Sequence, residues 1–269
     1  MSGGAYLRCF VGIVYRELLR FVHQRGRFLA ALVRPLIWLI VFAAGFRMAL
    51  GVAITPPYQT YILYEVYIIP GLVGMVQLFN GMQSSLSMVY DREMGSMRVL
   101  LTSPLPRWFL LVAKLFAGTL VSIVQVYAFL LIAYLYGVRM PLWGYAFVLP
   151  ALVLSGLMLG SLGLLLSSLI RQLENFAGVM NFVIFPMFFV SSALYPLWRI
   201  REAAPWLADL ATYNPFTYAV EMIRFALYLQ VNVHAALVTS VTAAILLGLA
   251  VWGYNPARGM MARKGAAAE

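Results

Sequence analysis

Two histidines, one cysteine and nine carboxylates are the stock from which this chain could build a catalytic or metal centre. Their spacing builds neither. His23 precedes the first long apolar run and His234 opens the last one, so about 30 Å of hydrocarbon would separate them. No H-E-x-x-H or C-x-x-C occurs and no paired carboxylates appear within the apolar runs, which argues against an intramembrane hydrolase. Cys9 stands alone and cannot close an intramolecular disulfide. No G-x-x-x-x-G-K-[ST] occurs either, so nothing here cradles nucleotide phosphates in the P-loop manner. No catalytic residue, cofactor site or metal site is expected. The polar groups that remain are of another kind. Asn80, Gln83, Ser84 and Gln125 sit inside apolar runs and must avoid lipid, by lining a route or by hydrogen bonding between helices. Glu221 and Arg224 stand three residues apart in an apolar helical segment and can pair.

The elements that hold these groups follow from composition. At 269 residues, 63% hydrophobic and only 10% charged, the chain has more apolar side chain than one soluble core can hide. It reads as an all-α membrane protein. Six windows approach the roughly 20 apolar residues that a crossing helix needs: residues 35–50, 67–89, 109–136, 145–170, 176–194 and 235–254. The first is short unless it extends back past Arg34, which can snorkel to the headgroups. No internal repeat is visible and no soluble domain fits between the spans. Residues 1–269 are therefore read as one transmembrane domain: a 1–34 interfacial segment, a 35–255 six-span core and a basic 256–269 tail.

The formal net charge of +10 does not point to nucleic acid, because the basic residues lie between apolar runs and not among aromatics on one surface. Membrane lipid is the expected partner. Fourteen Lys and Arg residues fall in the N-terminal segment, the 89–115 region, Arg171 and the tail, against five in the alternate connections. That bias places both termini in the cytoplasm. Six arginines ahead of the first apolar run also exclude a cleavable signal.

Residues 6–27 read as an amphipathic helix lying in the membrane interface, with Tyr6, Phe10, Ile13, Val14, Leu18 and Phe21 at helical spacing and Arg16, Arg20, Gln24 and Arg27 on another face. After the second window comes VYDREMGSMRVLLTSPLPRWFLLVAKL, residues 89–115. Asp91 is expected to cap a short cytoplasmic helix, Glu93 to favour its dipole, and Pro104 to end it. Along it Met94, Met97 and Leu101 share a face, with Leu100 beside them, while Arg92 and Arg98 point elsewhere. An apolar stripe on a charged helix suits docking or rest on the membrane surface.

These residues carry a resemblance. The order of a basic amphipathic helix, a span, then a span ending in DREMGSMRVLLTSPLPRWFLLVAK resembles the permeases of the ABC-2 exporter family. The match continues in SSLIRQLENFAGVMNFVIFPMFFVSSALYPLWRI and in YNPFTYAVEMIRFAL, which is similar to the Asn-Pro segment the family places before its last span. The resemblance implies that Asp91, Arg92, Glu93, Met94, Gly95, Met97, Arg98, Leu100, Leu101 and Pro104 form a coupling helix seated on an ABC ATP-binding subunit. Two such subunits are expected, carrying the ATP and Mg, with two permease chains pairing as a homodimer in a bacterial inner membrane. It also implies that residues 195–232 form a re-entrant hairpin at the outer face, with Asn214, Pro215, Glu221 and Arg224 as candidate gate residues. The alternative is an amphipathic helix lying flat on the outer leaflet.

Gly156, Gly160 and Gly163 form a small-residue stripe suited to close helix packing. The function expected is export of an amphipathic small molecule or a lipid-linked glycan. A non-transporting membrane scaffold or assembly factor is the rival reading. It shares the hydropathy but has no use for a dimeric route.

Overall fold

A computed structural model of the protein describes residues 3–23, 25–46, 56–60, 62–93, 105–170 and 172–254. They form eleven helices: α1 (Gly3–His23), α2 (Arg25–Phe46), α3 (Tyr64–Glu93), α4 (Arg107–Leu135), α5 (Leu142–Phe147), α6 (Leu149–Leu169), α7 (Leu173–Phe189), α8 (Leu197–Ala203), α9 (Pro205–Tyr213), α10 (Pro215–Leu227) and α11 (Val233–Gly253). No strand occurs among the described residues. Three stretches, Arg107–Leu135, Leu142–Leu169 and Val233–Gly253, are long and apolar enough to cross a membrane, and Ala31–Phe42 and Leu173–Phe189 are shorter apolar helices. The 30-residue α3 reaches about 45 Å, but Gln77, Asn80, Gln83 and three serines dilute its apolar character.

Two boundaries differ from the sequence reading. The helix carrying the first apolar window starts at Arg25 and runs through Pro35, because a proline inside an apolar helix is tolerated where neighbouring helices cover the freed backbone groups. Pro35 is itself buried. Asp91, expected to cap a new helix, lies in the last turn of α3, which is continuous to Glu93. Met94, Gly95, Met97, Arg98, Leu100, Leu101 and Pro104 lie outside the described residues, as does the 255–269 tail.

The bundle is built around α3, which packs against α2, α4, α6, α7 and α10. Residues 67–82 of α3 are buried without a break, so they point in every direction around its axis, as a helix surrounded by helices requires. The crossing with α6 is close. A Cβ on Gly81 would meet the Gly160 Cα at 3.0 Å, and one on Gly163 would meet the Gly81 carbonyl oxygen at 2.7 Å. The stripe of small residues on α6 thus lets α3 approach closely, since dispersion rather than solvent exclusion drives helix packing in lipid.

The outer helices carry large apolar residues that the chain leaves exposed. On α11, Val233, Leu237, Val241, Ile245 and Leu249 recur every four residues and are all exposed, while its opposite side packs on α6 and α10. Such a stripe is stable only against lipid or another apolar surface. The N-terminal α1 also has more apolar surface than one face. Tyr6 and Phe10 sit edge-on to Phe109 and Phe116 of α4 at 5.0 and 6.2 Å, and Phe21 is buried. A second stripe, Leu7, Val11, Tyr15 and Val22, is exposed. The polar strip with Arg16 and Arg20 is narrowed between them.

Candidate functional site

The chain leaves helical geometry after Phe189 and does not regain a long helix until Pro215. Broken backbone inside an apolar bundle exposes carbonyls that must find donors. The structure supplies them from two elements. Tyr64 and Tyr67 of α3 donate their hydroxyls to the Leu194 and Ser192 carbonyls at 3.0 and 3.1 Å. Arg224 of α10 donates to the same Ser192 carbonyl at 2.8 Å, so both lone pairs of that oxygen are used. The Arg224 guanidinium lies over the Tyr67 ring, 4.1 Å from its centroid, and forms an ion pair with Glu221.

Glu221 and Arg224 therefore do pair, but they are not an exposed helical pair. Arg224 is 2% exposed and Glu221 22%, and α10 buries Phe216, Ala219, Val220, Ile223 and Leu227 around them. Asn214 and Pro215 set the start of α10. Proline at the first position needs no amide partner, and the Asn214 side chain accepts from the Phe216 amide at 3.0 Å as an N-cap. The same side chain donates to the Met187 and Val190 carbonyls at 2.7 and 2.5 Å. One residue thus caps α10 and satisfies the open end of α7. All four candidate gate residues lie on one segment, with Asn214 at the α7 end and Glu221 and Arg224 facing α3.

Sequence reasoning missed the α3 half of this cluster and also Tyr58. Tyr58 is buried beside Tyr228 at 4.8 Å and Tyr67 at 6.4 Å, and burial holds its phenol well above the usual tyrosine range. It stays neutral. The signal was present in the tyrosines at 58, 64 and 67, a run that needs polar partners once buried.

A second polar group lies deeper in the bundle. Asn80 of α3 donates to Gln125 of α4 at 2.6 Å. Gln77 donates to the Leu152 carbonyl at 2.7 Å and accepts from Ser155 of α6 at 2.6 Å. Ser84 lies against Gly118, and the buried Lys114 lines the same crevice. Gln83 faces another crevice, with Arg34 and Phe79. Arg34 does not snorkel away: its guanidinium sits 3.7 Å from the Phe79 ring centroid. Each crevice holds a void of about 10 Å³, scarcely room for one water. In this conformation the polar groups meet one another across helix contacts.

The Asn80 Oδ1 and Gln125 Nε2 atoms are buried without a hydrogen-bond partner among the described residues. This makes a double-mutant cycle informative. Gln125→Leu is expected to destabilise the purified chain by about 1–3 kcal/mol, because it strands the Asn80 amide. Asn80→Leu combined with Gln125→Leu is expected to recover most of that loss. Thermal unfolding in detergent reads the cycle, and additive losses would show that the two amides do not depend on each other.

The histidines form no centre. His23 is bonded to the Leu19 carbonyl at 2.7 Å, and His234 lies edge-on to Tyr218 at 5.4 Å. Among the described residues no cluster of three or more metal-ligating side chains occurs.

Comparison with known proteins gives this architecture a family. The ABC-2 type transporter family matches residues 8–228, from the N-terminal helix to the end of α10. A protein of Cyanophora paradoxa named as a transport permease, ycf38, is 28% identical over 219 residues, covering 79% of this chain and 72% of its own. Its counterpart in Pyropia yezoensis is 29% identical over 229 residues, covering 82% and 74%. A protein of Escherichia coli (strain K12) named as a multidrug ABC transporter permease, YbhR, is 29% identical over 170 residues, covering 62% of this chain and 45% of its own. The chain belongs to the ABC-2 type transporter family and is a transmembrane transporter subunit.

Proposed function

We propose that this chain is the permease subunit of an ATP-driven exporter, forming the substrate route as a pair of six-span chains coupled to two separate ATP-binding subunits. The observation that carries the reading is the family match across residues 8–228. The helix order supports it. In this proposal α2, α3, α4, α6, α7 and α11 are the six crossings, and an even number puts both ends of the chain on the side carrying most of the arginines. On the opposite side Trp143, Trp206 and Tyr213 are exposed, as suits an aromatic belt at a membrane surface.

The segment 190–227 acts as the outer gate in this proposal, re-entering between α3, α6 and α11 and held there by Asn214 and the Arg224 cluster. Its non-helical turn is buried in protein, which is the condition for such backbone at membrane depth. The substrate is an amphipathic small molecule or a lipid-linked glycan. The relative named as a multidrug permease favours the former.

The test lies in residues 91–104, where the resemblance to the family implies the contact with the ATPase. Replacing Met97 and Leu101 together with Asp puts charge against an apolar cleft, and is expected to weaken partner binding by at least about 2 kcal/mol. Copurification of the ATPase with wild-type and variant permease at matched expression reads this, together with permease-stimulated ATP hydrolysis. Arg98→Ala is expected to weaken docking less, as a rim contact. Normal copurification and stimulation by the double variant would place the stripe against the membrane and remove the coupling assignment.

A further inference from the structure

Asn181 stands at the middle of α7, eight residues from either end of that 17-residue apolar helix, so about 12 Å of helix separates it from each end. It is exposed and makes no hydrogen bond among the described residues. Hydrocarbon offers an amide no partner, and a polar group left facing it is costly. The helix itself does not solve this. Backbone N–H groups of an interior turn already donate within the helix, so the Asn181 side-chain oxygen finds no donor there. Ser240 of α11 is also exposed, but its hydroxyl donates to the Ala236 carbonyl at 2.7 Å, and the apolar stripe around it suits lipid. The exposed side of α7 does not.

The rest of that side has the form of a helix contact. Phe176, Ile184 and Phe188 are buried in the bundle, whereas Gly178, Phe182, Phe185 and Phe189 are exposed with Asn181, at the three-to-four-residue spacing of one helix face. A Cβ on Gly178 would meet nothing within 4 Å, so a second backbone can approach closely there. Trp38 of α2 packs against Phe189, with 5.5 Å between ring centroids, and α2 thus borders the same face. We infer that α7 packs against α7 of a second copy of this chain, about a two-fold axis along the membrane normal near Asn181, with the two Asn181 amides hydrogen-bonded to each other. Such an axis brings a residue beside it against its own copy. An amide is its own complement, with N–H donors and a carbonyl acceptor, whereas a charged side chain would repel its copy. The assignment rests on the pairing of two chains proposed above and adds the face they share.

Cysteine cross-linking of the full chain in vesicles reads the contact. Cys9 is the only cysteine in the chain, so Cys9→Ser gives a clean background. In it, Gly178→Cys and Phe185→Cys lie on the assigned face, and Ile245→Cys lies on the exposed stripe of α11. Under copper phenanthroline the first two are expected to give disulfide-linked dimers at least about tenfold faster than the third, since the bond needs Cα atoms within about 7 Å of each other. Phe185→Cys leaves Gly178 and Asn181 in place, so it decides even where the glycine variant does not pack. With no cysteine added, Asn181→Leu is expected to raise the dimer dissociation constant in lipid about fivefold, the scale of interhelical hydrogen bonds in membranes. Asn181→Gln keeps an amide and should raise it less. Single-molecule photobleaching on dilution into excess lipid measures both. Wild-type dissociation in Asn181→Leu would overturn the amide pair. Dimers that form without faster cross-linking at 178 and 185 would overturn the face and leave the pairing of chains intact, whereas monomers at every density would overturn the pairing itself.

Discussion

Glu221→Gln is expected to lower the stability of the purified chain by about 3 kcal/mol or more, because it leaves the 2% exposed Arg224 guanidinium charged without its carboxylate. The loss is far above the 0.2–0.5 kcal/mol or so of an exposed helical pair. Burial makes the difference. Removing one member of a buried pair strands the other in a medium that cannot hydrate it, whereas removing both leaves only the lost packing. Arg224→Met should therefore cost less than the single glutamate change suggests, since Glu221 is 22% exposed and can reach water. It still deprives the Ser192 carbonyl of one of its two donors and Tyr67 of its cation. The double variant, Glu221→Gln with Arg224→Met, should be more stable than the sum of the two losses implies. Tyr67→Phe removes one hydrogen bond and should cost only about 0.5–1.5 kcal/mol. Thermal unfolding of the full chain in detergent measures all four. A Glu221→Gln protein that melts with the wild type would show that Arg224 is hydrated in the folded protein, and the cluster would then lose its role in holding residues 190–227.

Which parts of this arrangement are legible in the sequence depends on the range of the interaction. Asn214 followed by Pro215 is a local signal, because a capping side chain and a fixed φ act on the next turn, and α10 begins where they place it. Asn80 and Gln125 are visible as polar residues inside apolar runs. That they meet each other depends on the register of α3 against α4, which no local pattern encodes. The pairing of Glu221 with Arg224 follows from spacing, but its burial follows from Phe216, Ala219, Val220, Ile223 and Leu227 finding partners on other helices. Arg34 shows the same limit. A long cation within an apolar helix can reach toward the headgroups or an aromatic face, and here Phe79 of α3 decides. The α1 periodicity is readable. Its second apolar stripe is not, because Leu7, Val11 and Tyr15 become distinct only once Tyr6 and Phe10 are seen to pack on α4.

Gly71→Ala and Gly144→Ala are expected to destabilise the chain by about 1–3 kcal/mol each, the usual range for forced overpacking, although alanine is the better helix former. Both glycines clamp the proposed gate segment, from opposite ends. A Cβ on Gly71 would stand 2.5 Å from the Ala193 carbonyl oxygen and 2.8 Å from its Cα, next to the turn whose carbonyls Tyr64, Tyr67 and Arg224 satisfy. A Cβ on Gly144 would run into the Leu227 carbonyl oxygen, at the last residue of α10. These obstacles are backbone, so no rotamer change relieves them. Relief requires the turn at 193 to move off α3 or the end of α10 to move off α5, and either shift pulls on the Ser192 carbonyl that joins α3 to Arg224. Gly248→Ala is the control: it sits in α11 with nothing within 4 Å of the added carbon, and helix propensity alone favours it by up to about 1 kcal/mol. Melting temperatures should therefore fall for the first two variants and hold or rise for the third. If transport is measured beside them, the first two should lose activity at temperatures where they remain folded, because the gate is displaced before the bundle melts. Wild-type stability in both clamp variants would mean that residues 190–227 are loosely seated, and neither the ion pair nor the tyrosines could then be holding a gate shut.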